Sequence, residues 1–220
     1  MAELSASILS ADLLNLERDI STAVNSGIKW IHLDIMDGHF VPNLTMGIPF
    51  GKAIKRKFDV NIESHMMVSN PDMYLEEYCS FSSVMTIHYE SPVQTSRVLE
   101  SIKNRGSSPG IAVNPKTPVS KIEGFLPLVK YVLVMAVEPG FTGQKMIEEA
   151  TQKIPILREY REREKLNFMI GVDGGINREN ISKIAALGPD IIVSASAIFS
   201  GNIVENIKFL KSSMKENGNG

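Results

Sequence analysis

The sequence predicts an α/β protein folded as a single (β/α)8 TIM barrel. Three observations predict it: eight short apolar segments recur along the chain, amphipathic patterns lie between them, and the chain has 220 residues. About 200–250 residues commonly form one such barrel. The first segment, Ser5–Leu9, precedes a helical stripe with Leu16, Ile20 and Val24 at i, i+4 and i+8. Trp30–Ile35, Val60–His65, Val84–His88 and Gly110–Val113 follow as further strands. Tyr131–Ala136 is apolar without a break, which is how a parallel strand covered on both faces reads. Glu148–Leu166 reads as one long amphipathic stretch with Ile154, Leu157 and Tyr160. Phe168–Asp173 and Asp190–Ser194 complete the strands, and Ile203, Ile207, Leu210 and Met214 mark a closing helix. The spacing suits a strand plus a crossover helix. An open doubly wound sheet is the alternative, but eight parallel strands without a long linker favour closure. One domain over residues 1–220 is expected, with a frayed polar tail at 215–220.

Composition narrows the class. Hydrophobic residues make up 43% and charged residues 22%, the balance of a soluble protein with a full core. The net charge is −2 and no basic block stands out, so neither nucleic acid nor an anionic membrane is an expected partner. The single cysteine, Cys79, has no evident partner base, which favours a structural role and a reducing compartment. Met1–Asp12 lacks the basic and apolar regions of a secretory signal. No apolar run approaches the ~18 residues of a membrane-spanning helix. A cytoplasmic location is expected.

A barrel places its site at the carboxyl ends of its strands. Polar residues gather there. His32 and Asp34 lie two apart on strand 2 and so face the same way. His65 falls at the end of strand 3 and Asp173 at the end of strand 7. Each alone could be a satisfied polar residue of a loop. Together they make a set of two histidines and two carboxylates suited to one divalent ion: Zn²⁺, Fe²⁺, Mn²⁺ or Co²⁺. His88 ends strand 4 with Glu90 nearby, and reads as support for such a site, as substrate-facing, or as a plain strand-end histidine. His39 is undecided.

Glycine supplies a second signal. Pro139-Gly140-Phe141-Thr142-Gly143 follows strand 6, Gly174-Gly175 follows strand 7, and Ala195-Ser196 follows strand 8. Glycine lets backbone N–H groups approach an anion, and barrels often hold phosphate with the loops after strands 7 and 8. No Lys or Arg lies in these turns, so backbone amides would carry the contact. Plain turn chemistry is the simpler alternative. Met36, Met67 and Met135 close strands 2, 3 and 6, either as ordinary core or as a soft apolar wall.

These motifs give the chain a family resemblance. Ser5-Ala-Ser-Ile-Leu-Ser-Ala-Asp12, His32-Leu-Asp-Ile-Met-Asp-Gly-His-Phe-Val-Pro-Asn-Leu-Thr45, His65-Met-Met-Val68, Asn114-Pro-Lys-Thr-Pro118, Val134-Met-Ala-Val-Glu-Pro-Gly-Phe-Thr-Gly-Gln144 and Val172-Asp-Gly-Gly-Ile176 resemble the ribulose-phosphate 3-epimerase family, from about residue 5 to residue 200. The resemblance implies interconversion of D-ribulose 5-phosphate and D-xylulose 5-phosphate. It implies one divalent metal on His32, Asp34, His65 and Asp173, with Asp34 and Asp173 as the acid/base pair. Ser7, His65, the three methionines and the turns at Gly140–Gly143, Gly174–Gly175 and Ala195–Ser196 would meet the substrate. Three positions depart from the usual pattern: Glu138 replaces Asn or Asp, and Thr142 and Ala195 each replace Gly.

Inverting a carbon beside a ketone requires stabilising an enediolate and moving protons on opposite faces. Asp34 and Asp173 on different strands suit that task. A 3-epimerase of a hexulose phosphate, such as D-allulose 6-phosphate, is the nearest alternative. A barrel aldolase or decarboxylase is the next, though no predicted strand ends in the lysine such lyases commonly use. The expected partners are a small ketose phosphate and further copies of the chain in a homo-oligomer.

Overall fold

The computed structural model describes residues 2–215. β1 (Glu3–Ser7) leads through a 3-10 turn at Ile8–Ser10 to α1 (Leu16–Asn25). β2 (Trp30–Met36) precedes α2 (Ile48–Lys57), β3 (Asn61–Met67) precedes α3 (Leu75–Cys79), and β4 (Val84–His88) precedes α4 (Thr95–Asn104). After β5 (Ser108–Val113) come β6 (Tyr131–Met135), α5 (Glu148–Thr151) and α6 (Lys153–Arg163). β7 (Met169–Asp173), α7 (Ile181–Ala186), β8 (Ile191–Ser194), α8 (Ser196–Phe199) and α9 (Ile203–Lys215) complete the order. Neighbouring strands pair in parallel, and β8 returns to β1 through Glu3↔Ile191 to Ala6↔Ser194. The closed α/β barrel expected from the spacing is therefore present.

Local chemistry explains the departures. β1 starts before Ser5 because Glu3 N–H already donates to Asp190 O at 2.8 Å, and it ends at Ser7, where Ile8–Ser10 turns. The β5–β6 crossover is two 3-10 segments, Val119–Lys121 and Glu123–Leu128, rather than an α-helix. Pro127, inside the second segment, lacks the N–H an α-helix needs there, and Gly124 adds backbone entropy. The stretch Glu148–Leu166 is divided at Gln152. Pro155 has no donor and crowds the carbonyl four residues back, so α5 stops and α6 begins afresh. Lys215 belongs to α9 rather than to a tail, and residues 216–220 lie outside the described residues.

The period of two along each strand sorts its side chains between two cores. On β2, Ile31, Leu33 and Ile35 join the cluster under the helices, while Trp30, His32, Asp34 and Met36 share the opposite, interior face. A separate cluster of Trp30, Val84, Ala112, Tyr131, Leu133, Met135, Ile191 and Val193 fills the barrel. Trp30, Val84, Tyr131 and Ile191 are the first residues of the even-numbered strands and close the bottom. Tyr131 takes the room that a side chain at Gly171 would need, since a Cβ there would lie 1.9 Å from its hydroxyl. Among the described residues, no helix is long and apolar enough to cross a membrane.

Cys79 ends α3, is buried, and points its thiol at Met85 Sδ, 3.7 Å away. Burial pushes the thiol up to about 11. At pH 8 the native protein should therefore react with iodoacetamide on the order of 10²-fold more slowly than a free thiol, and at the free rate once unfolded. Mass spectrometry of the alkylated chain measures this; native labelling at the free rate would contradict the packed position.

Candidate active site

Strand register assembles the site. Asp34 on β2 pairs with His65 on β3, and Met135 on β6 pairs with Asp173 on β7. His32 Nε2 lies 3.2 Å from Asp34 Oδ1, 3.2 Å from His65 Nδ1 and 3.9 Å from Asp173 Oδ2. His65 Nδ1 lies 3.4 Å from Asp34 Oδ1. One ligand atom from each of the four falls within 4.8 Å of all the others. The four predicted ligands thus come together, buried except for Asp173, which is partly open.

The donor set fits a divalent cation. Two imidazole nitrogens and two carboxylate oxygens turn toward one another. A tetrahedral ion with bonds of about 2.1 Å has ligand–ligand edges of about 3.4 Å, close to the shorter separations here. The electrostatics of the chain alone point the same way. Burial draws His32 down, but Asp34 and Glu63 overcome it and hold the imidazole well above its ordinary value. Burial favours a protonated Asp34, yet His32 and His65 hold its carboxyl well below the usual range. Burial pushes Asp173 up to about 7, with the charges of Asp34 and Glu63 adding to it and His32 opposing. The group attracts positive charge, and a divalent ion satisfies both carboxylates at once.

Neighbours fix these side chains. Ser7 Oγ donates to Asp34 Oδ2 at 2.7 Å. Thr45 donates its hydroxyl to the Asp34 carbonyl and accepts Met36 N–H at 3.1 Å. Below, Glu63 Oε2 meets His32 Nδ1 at 2.9 Å, and Thr86 donates to Glu63 Oε1 at 2.8 Å. Behind His65, His88 Nε2 meets His65 Nε2 at 2.8 Å. Burial pushes His88 down to about 4, against the pull of Glu90. His39, by contrast, is exposed and only folds its own loop, with Nδ1 2.9 Å from the Asp37 carbonyl.

Above the four lies a cavity lined by Ser7, Asp34, Met36, Met67, Met135, Gly140–Gly143, Asp173–Gly175, Ala195 and Ser196. All the sequence-predicted site residues therefore meet there except His32 and His65, which lie fully buried. Met36, Met67 and Met135 are the last residues of β2, β3 and β6 and form its buried wall. No Lys or Arg lines it. Gly174 and Gly175 have φ of 116° and 68°, and Cβ atoms there would meet Val137 Cγ2 at 2.5 Å and Met146 N at 2.6 Å. Only glycine fits that turn. Ala195, at φ −111°, lies on the side where a Cβ is tolerated. Glu138 is exposed and pairs loosely with Lys116 at 3.6 Å, so it stands outside the cavity wall. Thr142 is exposed on the turn.

Sequence reasoning passed over several supports. Gln144 Nε2 donates to the carbonyls of Glu138 and Phe141 at 2.7 and 2.9 Å and shapes the first glycine turn. Asn43 reaches the Gly140 carbonyl at 2.9 Å, and Asn180 the Gly175 carbonyl at 2.8 Å. These side chains bond backbone atoms, and sequence carries no mark of that. Glu63 does leave a mark in the sequence: it stands two residues before His65 and so shares its face.

Comparison with known proteins agrees with this geometry. A profile of the ribulose-phosphate 3-epimerase family matches residues 3–199. A ribulose-phosphate 3-epimerase of Treponema pallidum (strain Nichols) is 40% identical over 201 residues, 91% of this chain and 92% of that protein. One of Methanocaldococcus jannaschii is 42% identical over 205 residues, 93% and 87% of the respective chains. The fold alone is shared with a crystal structure of 3-keto-L-gulonate-6-phosphate decarboxylase from Vibrio cholerae (TM-score 0.74, 9% identity, 97% of both chains). With a matched profile over nearly the whole barrel and relatives of this similarity, the chain belongs to the ribulose-phosphate 3-epimerase family.

Proposed function

We propose that this chain interconverts D-ribulose 5-phosphate and D-xylulose 5-phosphate by inverting C3, with Asp34 and Asp173 as its two acid/base groups. One observation carries the reading: two carboxylates from different strands open on one cavity, with two buried histidines completing a divalent-ion donor set beneath them. His32, Asp34, His65 and Asp173 would hold one divalent ion. When bound, that ion would supply Lewis-acid stabilisation of the negative charge that develops on substrate oxygens.

The chain's own residues do the rest. One aspartate removes the C3 proton, and the other delivers a proton to the opposite face; the roles exchange in the reverse direction. Ser7, donating to Asp34 Oδ2, fixes the carboxylate so that Oδ1 faces the histidines. Met36, Met67 and Met135 limit water around the planar intermediate. The turns at Gly140–Gly143, Gly174–Gly175 and Ala195–Ser196 take the phosphate on backbone N–H groups, because the cavity offers no cationic side chain. The absence of lysine from that lining also disfavours a Schiff-base lyase. The same reading takes the chain as one domain, cytosolic, a homo-oligomer, and without affinity for nucleic acid.

A substrate panel tests it. D-Ribulose 5-phosphate should exceed free D-ribulose by about 10²-fold or more in kcat/KM, because remote binding energy is used in the transition state, and D-allulose 6-phosphate is measured beside them. Comparable values for the free sugar would remove the phosphate assignment. A higher value for the hexulose phosphate would make the chain a six-carbon epimerase.

A further inference from the structure

Resting on the metal reading above, we infer that Glu90 and His88 are positioning residues that set which nitrogen of His65 is free to bind the ion. His65 turns Nδ1 toward Asp34 and His32, and its Nε2 lies 2.8 Å from His88 Nε2. Two ring nitrogens form a hydrogen bond only if one carries hydrogen and the other does not. Asp34 Oδ1, 3.4 Å from His65 Nδ1, draws a hydrogen toward the metal-facing nitrogen, and the pull that opposes it comes from further out. His88 Nδ1 lies 3.3 Å from Glu90 Oε2. Glu90 Oε1 is already occupied, accepting the Asn114 N–H at 3.0 Å and the Thr117 hydroxyl at 2.5 Å. Those two donors anchor the carboxylate and leave Oε2 as an acceptor for His88.

The order of hydrogens follows. His88 carries its hydrogen on Nδ1 and gives it to Glu90. Its Nε2 is then bare and accepts from His65 Nε2–H. His65 therefore presents a bare Nδ1 to the donor group. Glu63 takes the Nδ1 hydrogen of His32 directly, with Oε2 at 2.9 Å. The difference is that His65 is governed through an intervening ring. Both rings of that pair are fully buried, and Phe40 lies against His88 at a centroid distance of 4.8 Å, so water has no access to replace either partner.

Glu90→Gln makes the inference testable with almost no change of shape. The amide oxygen takes the place of Oε1 and accepts from Asn114 N–H and Thr117. Its NH2 must then face His88 Nδ1 and donate to it. His88 shifts its hydrogen to Nε2, donates to His65 Nε2, and His65 carries its hydrogen on Nδ1, where it blocks the ligand atom. By contrast, His88→Gln keeps an acceptor for His65 and a donor for Glu90, so it should preserve the order.

The experiment measures Zn²⁺ affinity by chelator competition and reads histidine tautomers from 15N shifts of the metal-stripped protein. Outer partners of metal-bound histidines commonly set 10–100-fold in affinity. We expect Glu90→Gln to weaken Zn²⁺ by that factor and to move the His65 hydrogen from Nε2 to Nδ1, while His88→Gln stays within a few-fold of wild type. A Glu90→Gln protein that binds Zn²⁺ as tightly as wild type, with an unchanged His65 tautomer, would overturn the inference. If that variant fails to fold, the wild-type tautomer still decides: hydrogen on His65 Nδ1 overturns it, and hydrogen on Nε2 supports it. Wild-type protein that binds no divalent ion would instead overturn the metal reading beneath it.

Discussion

Asp34→Asn and Asp173→Asn should each lower epimerisation by about 10³-fold, yet each should retain solvent deuterium exchange into one of the two epimers. Loss of activity alone cannot separate the roles, because both residues stand among the four candidate ligands. Asn keeps the size and one oxygen ligand but loses the basic oxyanion. With one base disabled, the other still deprotonates the epimer whose C3 hydrogen it faces. The two variants should therefore label opposite epimers. Each variant, checked for retained metal, is incubated with either sugar phosphate in D₂O, and C3 labelling is read by NMR. If both variants label the same epimer, or either epimerises near the wild-type rate, the assignment of opposite faces to these carboxylates is wrong.

Stripping the divalent ion has a comparable effect on rate and an independent effect on stability. The wild-type chain should carry about one ion, measured by elemental analysis. Strong chelation should lower activity by about 10³-fold or more, restored by Zn²⁺, Fe²⁺, Mn²⁺ or Co²⁺. Without it, two carboxylates remain packed against each other at the mouth, Asp173 already pushed up to about 7 by burial and its neighbours. An ion present at about 100 times its Kd stabilises the folded state by about 2.7 kcal/mol. For a chain of this size that corresponds to a Tm lowered by about 5–10 °C on stripping. Calorimetry with and without chelator measures it. Full activity and an unchanged Tm in metal-free protein would falsify the assignment of this group as a metal site.

The barrel was legible in the sequence because parallel strands buried on both faces read as apolar runs, and Val84–His88 is matched residue for residue. The polar interruptions in those runs, His32 and Asp34 above all, marked the interior face of the mouth. The crossover from β5 to β6 was not legible as 3-10 structure, although Pro118 and Pro127 stood in it, because apolar residues such as Leu126 still hold the segment to the core. The division of Glu148–Leu166 was a missed proline signal. The carboxylates beneath and behind the site were half-legible. Glu63 shares a face with His65 by strand parity, but Glu90 lies beyond the end of β4, and its bonds to Asn114 and Thr117 depend on how two loops meet. Side chains that hold a turn by its backbone, such as Gln144 and Asn180, left no pattern to read.

The packed floor of Trp30, Val84, Tyr131 and Ile191 makes the barrel a cup with one doorway. Sugar, water and protons all use the same entrance, because a filled barrel offers no channel through its base. While a sugar stands in that doorway, the proton lifted from C3 is shut in with it. Whether that proton returns to its own sugar or is traded for one from the solvent then depends on how long the visitor stays, so isotope wash-out serves as a clock for residence as well as a label for chemistry.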